Sequence, residues 1–73
     1  MRKPKHYTDR NGTVIREGDV IRFNMIGGGR CYVAEAQWSG TGWEFGVFPI
    51  KEIDFAKCRI IFNVYDNWEE EDD

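Results

Sequence analysis

The side chains in this sequence that could do chemistry are few and widely spaced. His6 is the only histidine, and Cys31 and Cys58 are the only cysteines. A general base needs partners that position it, and a metal ion needs three or four ligands at suitable spacing. Neither cysteine belongs to a C-x-x-C pair, and His6 sits in a basic N-terminal stretch. Most parts of an active site are therefore missing, and no enzymatic activity, metal or cofactor is expected. The run IGGGRC invites a phosphate-loop reading, but such loops open a helix and carry Lys or Ser/Thr at fixed spacing. Here Arg30 leads directly into CYVAEAQW, a strand-like run, so a flexible hairpin turn is expected. Arg30 at its tip is a candidate contact for an anionic partner.

The aromatic residues are the next candidates. Trp38, Trp43 and Trp68, with Tyr7, Tyr32 and Tyr65, could stack bases or grip a peptide, as exposed rings of small barrels do. The competing role is to roof a small core. That role outweighs binding for Trp43, whose neighbours Phe45 and Val47 are apolar, while for Trp38, beside a turn, the two are level. Trp38 and Trp43 flank SGTG and are expected to be cross-strand neighbours.

Charge is segregated. Net charge is −3, yet Arg2, Lys3, Lys5 and Arg10 oppose only Asp9 at the start, whereas Asp66, Glu69, Glu70, Glu71, Asp72 and Asp73 gather at the end. The basic head, about residues 1–6, could touch nucleic acid, although a sequence pI near 5.1 argues against a protein that holds phosphates overall. The acidic tail, about 69–73, could occupy a basic groove on another protein as a nucleic-acid mimic, with Trp68, Glu69, Glu70 and Glu71 as its contacts. A solvated tail that aids solubility is the heavier reading.

Stepping along the chain, turns are easier to place than sites. Asn11-Gly12 is a turn signal between HYT and TVI, both residues accepting positive φ at little cost. Gly18 and Asp19 in EGD make a second turn. VIRFNMI reads as a strand with Ile21 and Phe23 on one face and Val20 and Arg22 on the other. CYVAEAQW places Tyr32, Ala34, Ala36 and Trp38 on one face. WEFGVFP alternates with Trp43, Phe45 and Val47 opposite Glu44, Gly46 and Phe48. IKEIDFAK is the only helix-compatible segment, short enough for one or two turns or a 3₁₀ turn. CRIIFNVYDN is apolar on both faces, which predicts a central or barrel-closing strand.

These elements predict an all-β fold, a small SH3-like antiparallel barrel of about five strands with one short helical turn, as one domain over 1–73. At 73 residues the core is near the lower limit for independent stability, so self-association is a further expectation. The 41% hydrophobic content excludes a disordered chain, and the 15% aromatic content lets a small core bury much area. No apolar run approaches the ~20 residues of a membrane helix, and polar YTDRNG follows the basic start. The expected location is the cytoplasm, with both cysteines as reduced, partly buried thiols on strands.

Two stretches resemble a known family. DRNGTVIREGDVIRF, residues 9–23, is similar to the D-x-N-G-x-x-I-x-E-G-D-I/V pattern of the YopX-like proteins of phages and prophages. RIIFNVYDNWEE, residues 59–70, resembles that family's closing strand, roughly V-I-G-N-I-Y-D/E-N-P-E-L, at Ile60, Ile61, Asn63, Val64, Tyr65, Asp66, Asn67 and Glu69. Phe62 stands where the family tends to have Gly, and Trp68 where it tends to have Pro. The resemblance implies an SH3-like barrel and a phage or mobile-element origin, hence a bacterial host cytoplasm, and it implies no chemistry. The functional expectation is a non-enzymatic accessory protein acting by protein–protein contact with a host or phage protein. The alternatives are a nucleic-acid-binding barrel using Arg30, Trp38, Trp43 and the basic head, and an acidic mimic that inhibits a host protein.

Overall fold

Apolar–polar alternation dictates which face of each strand turns inward, and the computed structural model, which describes residues 6–66, follows it closely in the first two strands. Strand β1 (Asp19–Met25) buries Ile21 and Phe23 and turns Arg22 to solvent. Strand β2 (Cys31–Trp38) buries Ala34 and Ala36 between half-buried Tyr32 and Trp38, with Cys31, Val33 and Gln37 outside. Strand β3 (Trp43–Phe45) returns alongside β2, and a 3₁₀ turn at Ile50–Glu52 leads into β4 (Ile53–Asn63). One helical turn follows at 64–66. All pairings are antiparallel, in the order β3-β2-β1-β4. The fold is all-β.

Three expectations are corrected. The sheet has four strands rather than about five, and it does not close into a barrel, because β3 and β4 are its two edges. The expected first hairpin contributes only the isolated bridge between Thr8 and Val14. Rings, instead of ladder hydrogen bonds, join the two edges. Tyr7 stacks on Phe55 at 4.8 Å and meets Phe45 edge-on at 6.0 Å, while Phe45 and Phe55 meet at 5.6 Å.

The physical reason lies at Gly46. Its φ of 62° reverses the chain directly after Phe45, and the Phe48 N–H donates back to the Phe45 carbonyl at 3.2 Å. Strand β3 therefore ends too early to form a ladder with β4. Val47, expected on the inner face, stands 93% exposed at the tip of this turn. Phe48, expected on the outer face, instead packs on Phe23 at 5.1 Å and on Tyr32 at 5.0 Å.

The last strand is also not central. It begins at Ile53, before the expected Cys58, and its ladder with β1 is irregular in two places, between Val20 and Ile21 and between Arg22 and Asn24. At the second, residues 55–58 arch away from β1, and the Cys58 carbonyl accepts the Arg10 N–H at 2.9 Å. Such irregularities bend a strand and re-aim its side chains. Cys58 consequently enters the core while Ile61 and Phe62 remain half-exposed, which accounts for the apolar pattern on both faces.

The core consists of Ile15, Ile21, Phe23, Ala34, Ala36, Phe45, Ile53 and Cys58. Phe23 and Phe45 are fully buried, and truncating such a ring to Ala costs about 3–5 kcal/mol. No helix among the described residues is long and apolar enough to cross a membrane.

Candidate binding surfaces

The turn residues of the sequence form a buried polar corner. Asp19 is 2% exposed, and its carboxylate accepts the Arg16 N–H at 2.8 Å and the Asn63 side-chain amide at 2.8 Å. The same Asn63 amide donates to the Glu17 carbonyl at 3.1 Å. Its oxygen accepts the N–H groups of Tyr65 (2.8 Å) and Asp66 (3.2 Å), capping the helical turn that ends β4. Arg16 also pairs with Asp66. Gly18 lies at φ 90°; its N–H donates to Ala36, and its carbonyl accepts from Val64. A methyl group at Gly18 would run into the ring of Tyr65. The corner thus ties the start of β1 to β2 and to the end of β4. Both stretches quoted for the family resemblance contribute to it.

A second turn near the N-terminus works differently from the expected two-residue form. Only Gly12 takes positive φ, at 84°. Asp9 organises the turn: its carboxylate accepts the N–H groups of Asn11 and Thr13, both at 2.9 Å, and its carbonyl accepts from Gly12 at 3.0 Å. Asp9 is buried close to the Cys58 thiol. Burial, and after it the Asp9 carboxylate, push that thiol up to about 11. Cys58 is therefore an inert core residue, whereas Cys31 is exposed, contrary to the expected partial burial; both thiols are free.

The aromatic hairpin is as expected. Trp38 and Trp43 are cross-strand partners, with ring centroids 5.5 Å apart in an edge-to-face arrangement. Trp43 also stacks on Phe45, and Tyr32 packs on Phe23 and Phe48, so both rings serve the core. Ser39 closes the turn, its hydroxyl donating to the Gly42 carbonyl at 3.0 Å.

Arg30 does not join this aromatic surface. It precedes Cys31 at one end of β2, while Trp38 stands at the other end, about 25 Å away along a strand of this length. Its carbonyl accepts the Asn24 side-chain amide at 2.8 Å. The predicted contacts Trp68, Glu69, Glu70 and Glu71 lie outside the described residues, as does most of the basic head.

The outer face carries the surface that sequence reasoning missed. A concavity of about 490 Å³ is lined by Arg10, Arg22, Asn24, Cys31, Ala56, Lys57 and Arg59. A smaller hollow of about 220 Å³ continues from Arg22 and Arg59 to Ile60 and Ile61. Arg22 on β1 and Arg59 on β4 stand directly opposite in the ladder, and Val33, 56% exposed, is the β2 partner of Arg22. Among the described residues, none of Arg10, Arg22, Lys57 and Arg59 has an ion-pair partner. Asp54, across the ladder from Asn24, accepts the Ala56 N–H. The alternation signal did place Arg22 outside, but only the bulged register of β4 brings Arg59 and Lys57 to it. No group of His, Cys, Asp and Glu among the described residues could hold a metal ion.

No family model, no curated protein and no solved structure matches the chain.

Proposed function

We propose that this protein is a non-enzymatic accessory binding protein of phage or prophage origin that acts in the host cytoplasm by contact with another protein. The observation that carries the reading is the outer-face strip, where Arg10, Arg22, Lys57 and Arg59 border half-exposed Val33 and Ile61. Arginines beside apolar groups are the composition of protein interfaces, in which planar guanidinium groups bind carboxylates with two parallel bonds. The resemblance of residues 9–23 and 59–70 to the YopX-like proteins supports the origin. The overall acidity of the chain disfavours a long polyanion such as nucleic acid, whose charge extends beyond the local basic strip.

Affinity capture of the tagged protein from a bacterial host lysate, with and without nuclease, tests this reading. The expected result is a protein partner at near-stoichiometric yield that survives nuclease. Recovery of nucleic acid, with every co-purifying protein lost on nuclease treatment, overturns it in favour of a nucleic-acid-binding module.

A further inference from the structure

Like charges directly opposite one another in an antiparallel ladder destabilise it. Arg22 and Arg59 are such a pair, and the surrounding residues make the clash worse. Arg10 reaches the same concavity from the N-terminal segment, because its backbone is fixed to Cys58 across the arch of β4. Lys57 enters from the arch itself. Two acidic residues lie diagonal to Arg22 by register: Asp54 holds the Ala56 N–H, Glu35 accepts the Gln37 side-chain amide, and neither forms an ion pair with the cluster. Among the described residues no carboxylate pairs with the cluster, and a local rule broken without such a counter-charge marks a site that an added anion would complete.

We infer that the Arg22–Arg59 pair, completed by Arg10 and Lys57, is a carboxylate-receiving site for an acidic segment on the protein partner. This inference rests on the reading above and specifies the partner's chemistry. Charge complementarity requires an anion. The continuation of the hollow to Ile60 and Ile61, with Val33 beside Arg22, requires apolar side chains next to the carboxylates. Single-stranded nucleic acid is held by several rings that stack its bases. The Trp38–Trp43 pair belongs to the inward face at the far end of β2, and Phe62, the β4 partner of Val20, is a single exposed ring on the outer face. An extended segment with acidic residues at alternate positions, followed by apolar residues at the next alternate positions, meets both requirements, because residues two apart share a face.

The probe is a fluorescein-labelled peptide carrying Glu at two alternate positions and Leu at the next two, with Ser between them, titrated by anisotropy against the full chain. Oligothymidylate of matched charge and a Lys–Leu peptide are the comparisons. The expected result is saturable binding of the Glu–Leu peptide only, weakened about tenfold by Arg22→Gln or by Arg59→Gln. Each of these variants should also melt a few degrees higher than the parent, since one half of the repulsion is gone. A role in the fold alone would not produce weaker binding together with higher stability. Tighter binding of oligothymidylate overturns the carboxylate assignment, as does Glu–Leu binding indifferent to both variants, or no binding at all. A protein partner captured from lysate in any of those cases would leave the general reading standing, so the two failures are distinguishable.

Discussion

The buried corner at Gly18, Asp19 and Asn63 and the aromatic hairpin at residues 38–43 are both turns, yet they are held together in opposite ways. In the hairpin the closing hydrogen bonds run between residues of one short loop, from Ser39 to Gly42, and the Trp38–Trp43 contact is a product of the adjacent ladder. In the corner the closing bonds run from Asn63 to Glu17 and Asp19, across most of the chain. The hairpin's side chains are half-exposed, whereas Asp19 and Asn63 are buried. A buried polar group left unsatisfied costs far more than an exposed one, because no water replaces the lost partner. The corner should therefore carry stability and cooperativity, and the hairpin should tolerate change.

The largest effect is expected at Asn63. Asn63→Ala leaves the Asp19 carboxylate without its amide donor and uncaps the helical turn, a loss of about 3 kcal/mol. Urea denaturation measures it, and a loss below about 1 kcal/mol would make the corner no different from an exposed turn. Gly18→Ala should follow at about 2 kcal/mol, because a side chain at φ 90° is strained and also meets Tyr65. Adding Tyr65→Ala to that variant should recover the steric part and leave the backbone part. An unchanged deficit in the double variant would show that the ring already moves aside.

The burial of Cys58 beside the Asp9 turn can be examined through pH. The folded Cys58 thiol titrates at about 11 against an ordinary value of 9.0, so the native state keeps a proton that the unfolded chain releases. Its contribution is complete below pH 9 and declines as pH rises toward 11, by on the order of 2 kcal/mol. Comparing the pH slope of parent and Cys58→Ala in that window isolates the effect; identical slopes would refute it. The smallest change belongs to the hairpin. Trp38→Ala should cost about 1 kcal/mol and remove the paired-indole signal from the near-ultraviolet circular dichroism. A cost equal to that of Asn63→Ala would erase the contrast between the two regions.

Several elements were legible in the chain because their signals are local. Alternation assigned Ile21 and Phe23 to the core, Arg22 to the outside and the inward face of β2. SGTG between two tryptophans predicted their pairing. Gly18 and Asp19 were readable as turn residues. The partner of Asp19 was not readable, because Asn63 looks like any polar residue late in a strand until the sheet brings it back. The reversal at Gly46 was also hidden, since WEFGVFP alternates convincingly and glycine is allowed in a strand as well as in a turn.

The candidate site illustrates the same division. The sequence by itself determined the all-β class, the faces of β1 and β2 and the position of most turns, because each depends on periodicity or on the φ range of one residue. Only the tertiary structure decided that the sheet stays open, with rings of Tyr7, Phe45 and Phe55 spanning its edges. It also decided that Arg10, Arg22, Lys57 and Arg59 share one concavity. Those residues come from three separate segments, and their meeting depends on the register of β4 against β1 and on the arch at residues 55–58. Register is a property of two strands at once, so no single stretch of sequence can contain it.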